Sequence, residues 1–371
     1  IAMVFEFAGA YLAGGEVTST VRKGIIDSGY FIDIPHLLVL GMISALLAAS
    51  VWLAVASYYG WPVSTTHSII GAIVGFTALS ISVDAVEWSK VLGILGSWVI
   101  TPAIAGIFAY LIYMSAKKVI FDQANPFLSA KKFVPVYMGL AGFIMSLVTI
   151  KKGLKHVGLG LDPVTGYTLA VSVALVVAVI GYVVIQKIEM KADANEEEQH
   201  ASIERIFAVL MILTACCMAF AHGSNDVANA IGPLAAVVSI VQNEGAINAK
   251  AALEWWILPL GGFGIVAGLA LFGHRVIKTI GTKITHLTPS KGFAAELAAA
   301  TTVVVASGTG LPISTTQTLV GAVIGVGLAR GVAALDMGTF KKIGISWVVT
   351  LPTGAVLSLI FFLILRGLFG V

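Results

Sequence analysis

Charge is what this sequence has least of. Asp, Glu, Lys and Arg make up 11% of the chain against 58% hydrophobic residues, and the mean hydropathy is +0.97. Soluble globular domains carry about 25% charged residues, so the composition excludes that class and reads as an all-α polytopic membrane protein. Cysteine is almost missing too. Cys216 and Cys217 are the two present, and as neighbours in an apolar run they could form only a badly strained disulfide. They read as inert core residues. A strong basic excess is also lacking: the net charge is +3, and the basic residues lie scattered in short loops, so no patch is offered to nucleic acid. Finally, there is no initiator Met and no cleavable signal peptide in view. Ile1 opens IAMVFEFAGAYLAGG, which reads as a spanning segment already under way, and the expectation is that the true N-terminus lies upstream.

What the sequence has in quantity is apolar runs. Each bilayer crossing by a helix needs about 20 residues, and plain spans are centred on Val91–Met114, Phe133–Ile150, Tyr167–Gln186, Trp255–Phe272 and Ile343–Leu365. Between them lie loops carrying Lys117, Lys118, Lys131 and Lys132, then Lys151, Lys152 and Lys155, then Arg275, Lys278 and Lys283, then Arg330, Lys341 and Lys342. Positive charge on so many consecutive loops does not fix an orientation. The one strongly polar stretch, KIEMKADANEEEQHASIER from Lys187 to Arg205, has no apolar face and reads as a solvated linker.

The chain also repeats itself. GWPVSTTHSIIGAIVGF, from Gly60 to Phe76, returns as GLPISTTQTLVGAVIGV, from Gly310 to Val326, so Pro62, Ser64, Thr65, Thr66, Gly71 and Gly75 match residues 250 positions later. SWVIT at Ser97–Thr101 returns as SWVVT at Ser346–Thr350, and Gly9 and Gly14 match Gly268 and Gly273 at an offset of 259. This is an internal duplication with small loop insertions. The apolar arms Leu37–Tyr58 and Phe293–Ala306 each run into a Gly-x-Pro break and then a second short arm. Proline disfavours helix in the residue before it, so each copy predicts a re-entrant helical hairpin whose Ser-Thr-Thr caps the second arm.

Between the hairpins fall three plain spans, one span at Ile203–Val241 that its polar centre suggests is interrupted, and one more at Trp255–Phe272. Five crossings are an odd number, which predicts that the hairpins enter from opposite sides, as in inverted-topology repeats with broken helices. Counting the interrupted span as two would undo that. The domains expected are a first repeat over 1–116, two connecting helices over 117–186, the polar linker over 187–203 and a second repeat over 204–371.

The strongest chemical signal is AFAHGSNDVANAIGP, Ala219–Pro233, where His222, Ser224, Asn225, Asp226 and Asn229 sit in apolar surroundings. Aspartate at membrane depth costs about 2.5–3.5 kcal/mol on insertion scales, a cost that usually marks function. A helix broken near Gly223 would offer its amides to an anion, while the carboxylate of Asp226 and the side-chain carbonyls of Asn225 and Asn229 suit a hard cation. Six tip hydroxyls, on Ser64, Thr65, Thr66, Ser314, Thr315 and Thr316, would make a donor-rich cradle for a small oxyanion without arginine. Glu296 in GFAAELAAA and Glu6 in VFEFAG are candidates for a cation or proton pathway, Glu6 being equally readable as interfacial. His67 stands where the other copy has Gln317, and His222 reads as a packed, hydrogen-bonded residue because no second His or Cys stands at ligand spacing.

These residues carry a resemblance. HGSNDVANAIGP resembles the duplicated Gly-x-Asn-Asp-Val-Ala-Asn-x signature of the PiT inorganic phosphate transporters, and PVSTTH and PISTTQ are similar to that family's hairpin tips. The similarity runs over essentially the whole chain in segment order. It implies a homodimeric, multi-pass transporter of the cell membrane that imports inorganic phosphate with Na⁺, or alternatively H⁺, by alternating access, with no resident cofactor. Carried over by motif, Ser64–Thr66, Ser314–Thr316 and Asn225 bind phosphate, and Asn225, Asp226 and Asn229, with Glu296, bind the cation, Na⁺ being placed at Asp226 and Asn229. The family has the Asn-Asp signature twice and this chain once. Carrying the 259 offset back from Asp226 lands roughly 30 residues before Ile1, where the missing broken helix is expected.

Three rivals remain. A sulfate permease would use an ion that only accepts hydrogen bonds, while phosphate also donates, and the acceptors on Asp226 and the Asn residues favour phosphate. An anion channel sits poorly with a carboxylate beside the anion. A phosphoryl-transfer enzyme would need an activated nucleophile or paired metal-binding acids, which no single motif supplies.

Overall fold

The computed structural model describes residues 1–150, 161–191, 195–247, 253–279, 287–331 and 337–370. Lys151, Lys152, Lys155 and Lys283 lie outside them, as does the side chain of Lys342. The described residues are nearly all helical: α1 (Ala2–Ala13), α2 (Gly15–Lys23), α3 (Pro35–Tyr58), α4 (Thr65–Ser80), α5 (Trp88–Ala116), α6 (Pro126–Val148), α7 (Pro163–Gln186), α8 (Glu196–Gln242), α9 (Ile257–Gly268), α10 (His274–Thr279), α11 (Pro289–Gly308), α12 (Thr315–Arg330) and α13 (Met337–Phe369). π-helical turns extend α5 and join α9 to α10. Among the described residues, seven helical stretches are long and apolar enough to cross a membrane. Five of them fall between the repeated Gly-x-Pro segments, the number expected.

Both repeated segments fold as helix pairs with matching turns. Gly60 and Gly310 take φ of +69° and +76°, a backbone state that only glycine adopts without strain. The chain then closes back on the first arm, with Trp61 N–H donating to Ala56 O at 2.8 Å and Leu311 N–H to Ala306 O at 3.3 Å. Ser64 and Ser314 are the N-caps of the second arms, accepting from the amides of His67 and Gln317, each at 3.2 Å. The capping predicted from Ser-Thr-Thr is therefore present in both copies. With 16 residues each, α4 and α12 are about 24 Å long, short of the ~30 Å hydrocarbon core.

The second arms are exchanged between the halves of the chain. α4 packs on α13 and α12 on α5, and glycines set how close they come. A Cβ on Gly71 would lie 2.4 Å from Leu351 O, and one on Gly321 2.3 Å from Pro102 O. A Cβ on Gly75 would lie 2.3 Å from Ala355 Cα, and one on Gly325 2.0 Å from Gly106 O. The glycines are 250 apart and their contacts 249 apart, so the two crossings are the same crossing made twice. Small residues that let backbones touch are the usual means of association in lipid, where apolar area alone does not drive helices together.

α8 corrects the expectation of a broken helix. It is continuous from Glu196 to Gln242, 47 residues, or about 70 Å, and passes through Gly223 without interruption. Gly223 serves a crossing: its Cβ would lie 2.1 Å from Glu6 O on α1. The neighbouring contact on that face repeats the pattern, with a Cβ on Gly9 falling 2.0 Å from Phe220 O. The charged stretch expected as a linker is helical from Glu196 onward, started by a capping box in which Asn195 and Glu198 satisfy one another's amides. Cys216 and Cys217 are buried free thiols.

Candidate functional site

The site forms where α8 passes between the two turn-and-cap segments. Asp226 and Asn225 are buried on α8, at 6% and 0% exposure, and both hairpins reach them. Thr65 of the first tip donates to Asp226 Oδ2, while Thr315 of the second donates to Oδ1 at 3.1 Å. These threonines are equivalent positions of the duplication, so one carboxylate ties together the N-termini of α4 and α12. Asn225 Nδ2 donates to Asp226 Oδ1 at 3.0 Å and to Ile313 O at 2.9 Å, and its Oδ1 accepts from Ser307 Oγ at 3.2 Å. One turn on, Asn229 Nδ2 lies 3.2 Å from the hydroxyls of both Thr65 and Thr66.

The tips also hold each other directly and reciprocally. Thr66 Oγ1 donates to Ile313 O at 2.9 Å, and Thr316 Oγ1 donates to Val63 O at 3.3 Å. Four of the six hydroxyls expected to face an anion are thus already donating within the protein. Ser64 and Ser314 accept a backbone amide and keep their own O–H for another acceptor. Helix geometry leaves the amides of the first turn without an intrahelical acceptor, and the two serines satisfy only those of His67 and Gln317. The amides of Thr65, Thr66, Thr315 and Thr316 are the remaining helix-start donors. Those of Ser224, Asn225 and Asp226 lie inside α8 and are not helix-start donors, so the expectation that this segment opens a helix toward an anion is withdrawn.

Asp226 has a third connection that the sequence did not announce. His222, one turn earlier, presents Nε2 at 3.4 Å to Asp226 Oδ2 and Nδ1 at 2.9 and 2.8 Å to the two oxygens of Glu6. The contact to Glu6 is a hydrogen bond and the approach to Asp226 is not, so the ring is fixed by Glu6 and lies edge-on against the Asp226 carboxylate. Glu6 is buried, 6% exposed, and faces the cluster at Asp226. Its burial depends on a partner 216 positions away, and no local pattern signals that.

Glu296 is not brought to this cluster. Its Oε2 accepts from Thr214 at 2.8 Å, and along α11 it stands 11 residues, about 16 Å, from the Ser307 that meets Asn225. The place where the copies differ is filled unequally. His67 stacks on Trp98 with ring centres 3.5 Å apart, and its Nδ1 lies 3.3 Å from Trp347 O, which can only accept. Trp347 Nε1 donates to Pro62 O at 3.1 Å. Its equivalent, Trp98 Nε1, has no hydrogen-bond partner among the described residues, and neither do His67 Nε2, Gln317 Oε1 and Asn229 Oδ1, all buried. For a cation, the carboxylate and amide oxygens within this turn of α8 are those of Asp226, the Oδ1 of Asn225, which already accepts from Ser307, and the Oδ1 of Asn229, which has no partner among the described residues. No cluster of three or more His, Cys, Asp or Glu suited to a metal occurs among the described residues.

Comparison with known proteins agrees over the whole length. A family model described as "Phosphate transporter family" matches residues 1–358. A protein of Haemophilus influenzae named "Putative phosphate permease" is 54% identical over 371 residues, covering 100% of this chain and 88% of that protein. "Inorganic phosphate transporter 2-1, chloroplastic" of Arabidopsis thaliana is 42% identical over 97% of this chain and 64% of its own length. A solved structure described as "The sodium-dependent phosphate transporter" superposes with a TM-score of 0.89 at 37% identity, covering 98% of this chain and 88% of that one.

Proposed function

The chain belongs to the phosphate transporter family, and from that premise we propose that it imports inorganic phosphate by cation-coupled symport, with Na⁺ as the coupling ion. The observation that carries this is the junction at Asp226, where Thr65 and Thr315 from two equivalent tips meet one carboxylate. Phosphate is held between the tips by the O–H groups of Ser64 and Ser314 and the helix-start amides beside them, while Asn225, whose two N–H groups go to Asp226 and Ile313, positions the second tip rather than binding the anion. Na⁺ takes Asp226 and the open Oδ1 of Asn229 as oxygen ligands. The cation offsets the charge of the anion. Each net positive charge moved through 100 mV then adds about 2.3 kcal/mol of driving force. The relative named as sodium-dependent supports Na⁺ for this chain by analogy.

The halves, 1–116 and 204–371, are inverted repeats joined by 117–186 and the polar stretch over 187–203, with α3–α4 and α11–α12 as re-entrant hairpins. The exchanged glycine crossings support this reading, because α4 on α13 and α12 on α5 are equivalent pairings in which each half lends its second arm to the other. Transport then proceeds by alternating movement of the halves about the junction at Asp226. Glu296 acts outside the cluster, as a second stop on the cation's route. The protein assembles as a homodimer, a property carried by the family resemblance, which cross-linking in membranes tests directly.

A second reading has its own observation. The series Glu6, His222, Asp226, hydrogen-bonded at its first step and in close approach at its second, leads from α1 to the centre of the site, and in that reading H⁺ replaces Na⁺. Labelled phosphate uptake into proteoliposomes separates the two: a Na⁺ gradient alone drives saturable uptake if the first holds, and a proton gradient alone if the second does. Flux that needs neither and does not saturate would show a channel. Competition by sulfate as strong as by phosphate would reassign the substrate.

A further inference from the structure

Each hairpin turn is touched from outside by one short segment, and the two segments are equivalent. A Cβ on Gly310 would lie 3.4 Å from Thr20 Oγ1 and 3.6 Å from Glu16 O, both on α2. A Cβ on Gly60 would lie 3.4 Å from Thr279 Oγ1 and 3.3 Å from Arg275 O, both on α10. Glu16 and Arg275, and Thr20 and Thr279, are 259 apart, the offset that also relates Gly9 to Gly268. Each turn is therefore backed by a segment from the other half of the chain.

The chemistry of the two contacts differs. On the second hairpin, Thr20 Oγ1 donates to Gly310 O at 2.6 Å, a neutral bond to the turn glycine itself. On the first, Thr279 Oγ1 is turned to its own helix, donating to Arg275 O at 3.2 Å, and Arg275 takes over. Its Nη1 donates to Tyr58 O at 2.6 Å, while its guanidinium lies 4.8 Å from the Tyr58 ring centre and 5.7 Å from that of Phe272. A planar guanidinium can stack and donate at once, which lysine cannot.

We infer that these contacts are a pair of latches: Arg275 holds the first hairpin tip, Thr20 holds the second, and the tips yield to substrate one at a time as their own latch withdraws. Both are positioning residues, since neither touches the groups at Asp226. The inference rests on the transport reading, because only a site reached alternately from two sides needs two independent closures. The crossed bonds of Thr66 and Thr316 join the tips to each other, so they cannot choose between them. The outer contacts, each made by a different segment, can.

The test uses the full chain in proteoliposomes, with Cys216→Ala and Cys217→Ala removing the native thiols and a reporter cysteine at Val63→Cys or Ile313→Cys, next to one tip each. Both native side chains are buried, at 8% and 0% exposure, so labelling by a membrane-impermeant maleimide reports opening. Arg275→Ala is expected to raise labelling at position 63 about tenfold or more, the shift from losing one charged hydrogen bond, and to leave position 313 unchanged or slower. Thr20→Val is expected to do the reverse. Arg275→Lys keeps the charge but not the stacked fork and restores only part of the protection, whereas Thr20→Ser restores it fully. Both reporters rising together, or neither moving, overturns the latches; the first result would mean general loosening. Phosphate uptake by the unaltered chain in the same vesicles keeps the two ideas apart. Uptake with no tip-specific labelling rejects the latches alone, and absent uptake with tip-specific labelling rejects the transport reading alone.

Discussion

Replacing Gly325 by alanine puts the exchanged crossing under direct strain. The added Cβ would sit 2.0 Å from Gly106 O and 2.8 Å from Gly106 Cα. An ordinary carbon–oxygen contact is about 3.3 Å, and carbon pairs are best at about 3.5–4.0 Å, so α12 and α5 must part by about 1.3 Å. Both atoms in the way are backbone, and no rotamer change relieves them. Opening a packed face by 0.5–1 Å forfeits about a quarter to a half of each dispersion contact, and overpacking of this kind costs about 1–3 kcal/mol. The apparent melting temperature of the purified protein in lipid nanodiscs falls accordingly. Gly75→Ala, equivalent by the 250 offset and 2.3 Å from Ala355 Cα, is expected to match it. Gly96→Ala, on α5 where a Cβ meets nothing within 4 Å, is the control. It removes a flexible residue from a helix and is neutral or stabilising by up to about 1 kcal/mol. A Gly325→Ala protein that melts at or above the native temperature, or a large gap between the Gly325 and Gly75 variants, would refute the close, repeated crossing.

Other perturbations read the site itself. Asp226→Asn removes the charge opposite a bound cation, worth about 4 kcal/mol at 4 Å in surroundings of intermediate polarity, so half-saturation for Na⁺ in phosphate uptake rises by about a thousandfold; an unchanged value would take Asp226 out of the cation site. Thr316→Val is expected to destabilise more than Thr66→Val in thermal melts, because Val63 O loses the one side-chain donor it has among the described residues while Ile313 O keeps that of Asn225. A buried group left unpaired costs about 1–3 kcal/mol. Glu204→Ala removes the carboxylate that accepts from Ser290 N–H at 2.8 Å and Ser290 Oγ at 2.6 Å at the start of α11. Losing such a cap costs about 1 kcal/mol, read as faster hydrogen exchange over residues 289–292 with phosphate half-saturation unchanged.

Much of this fold was legible because its signals are local. Ser64 and Ser314 follow a proline and precede an apolar run, which is how helix starts are written, and Gly60 and Gly310 stand where the chain must reverse. The offsets of 250 and 259 were readable as numbers. What the numbers could not say is that each second arm packs on the other half, since a duplicated sequence is equally compatible with both pairings. Gly223 was misread for a related reason. Glycine beside polar residues looks like a helix break, and its actual use, a backbone crossing with α1, depends on a segment more than 200 residues away. Burial of Glu6 and the isolation of Glu296 are likewise consequences of packing. Both glutamates interrupt apolar runs in the same way, yet one belongs to the cluster at Asp226 and the other does not.

The continuity of α8 fixes a register. From its cap at Asn195 to Asp226 the chain climbs 31 residues of unbroken helix, about 46 Å, with no loop in which to absorb an error. One residue inserted between Phe207 and Ala221 would turn Asp226 by about 100° and advance it 1.5 Å relative to the charged first turn, carrying the carboxylate away from Thr65 and Thr315 while every residue kept its identity. Length in this segment is therefore as much a part of the site as the aspartate.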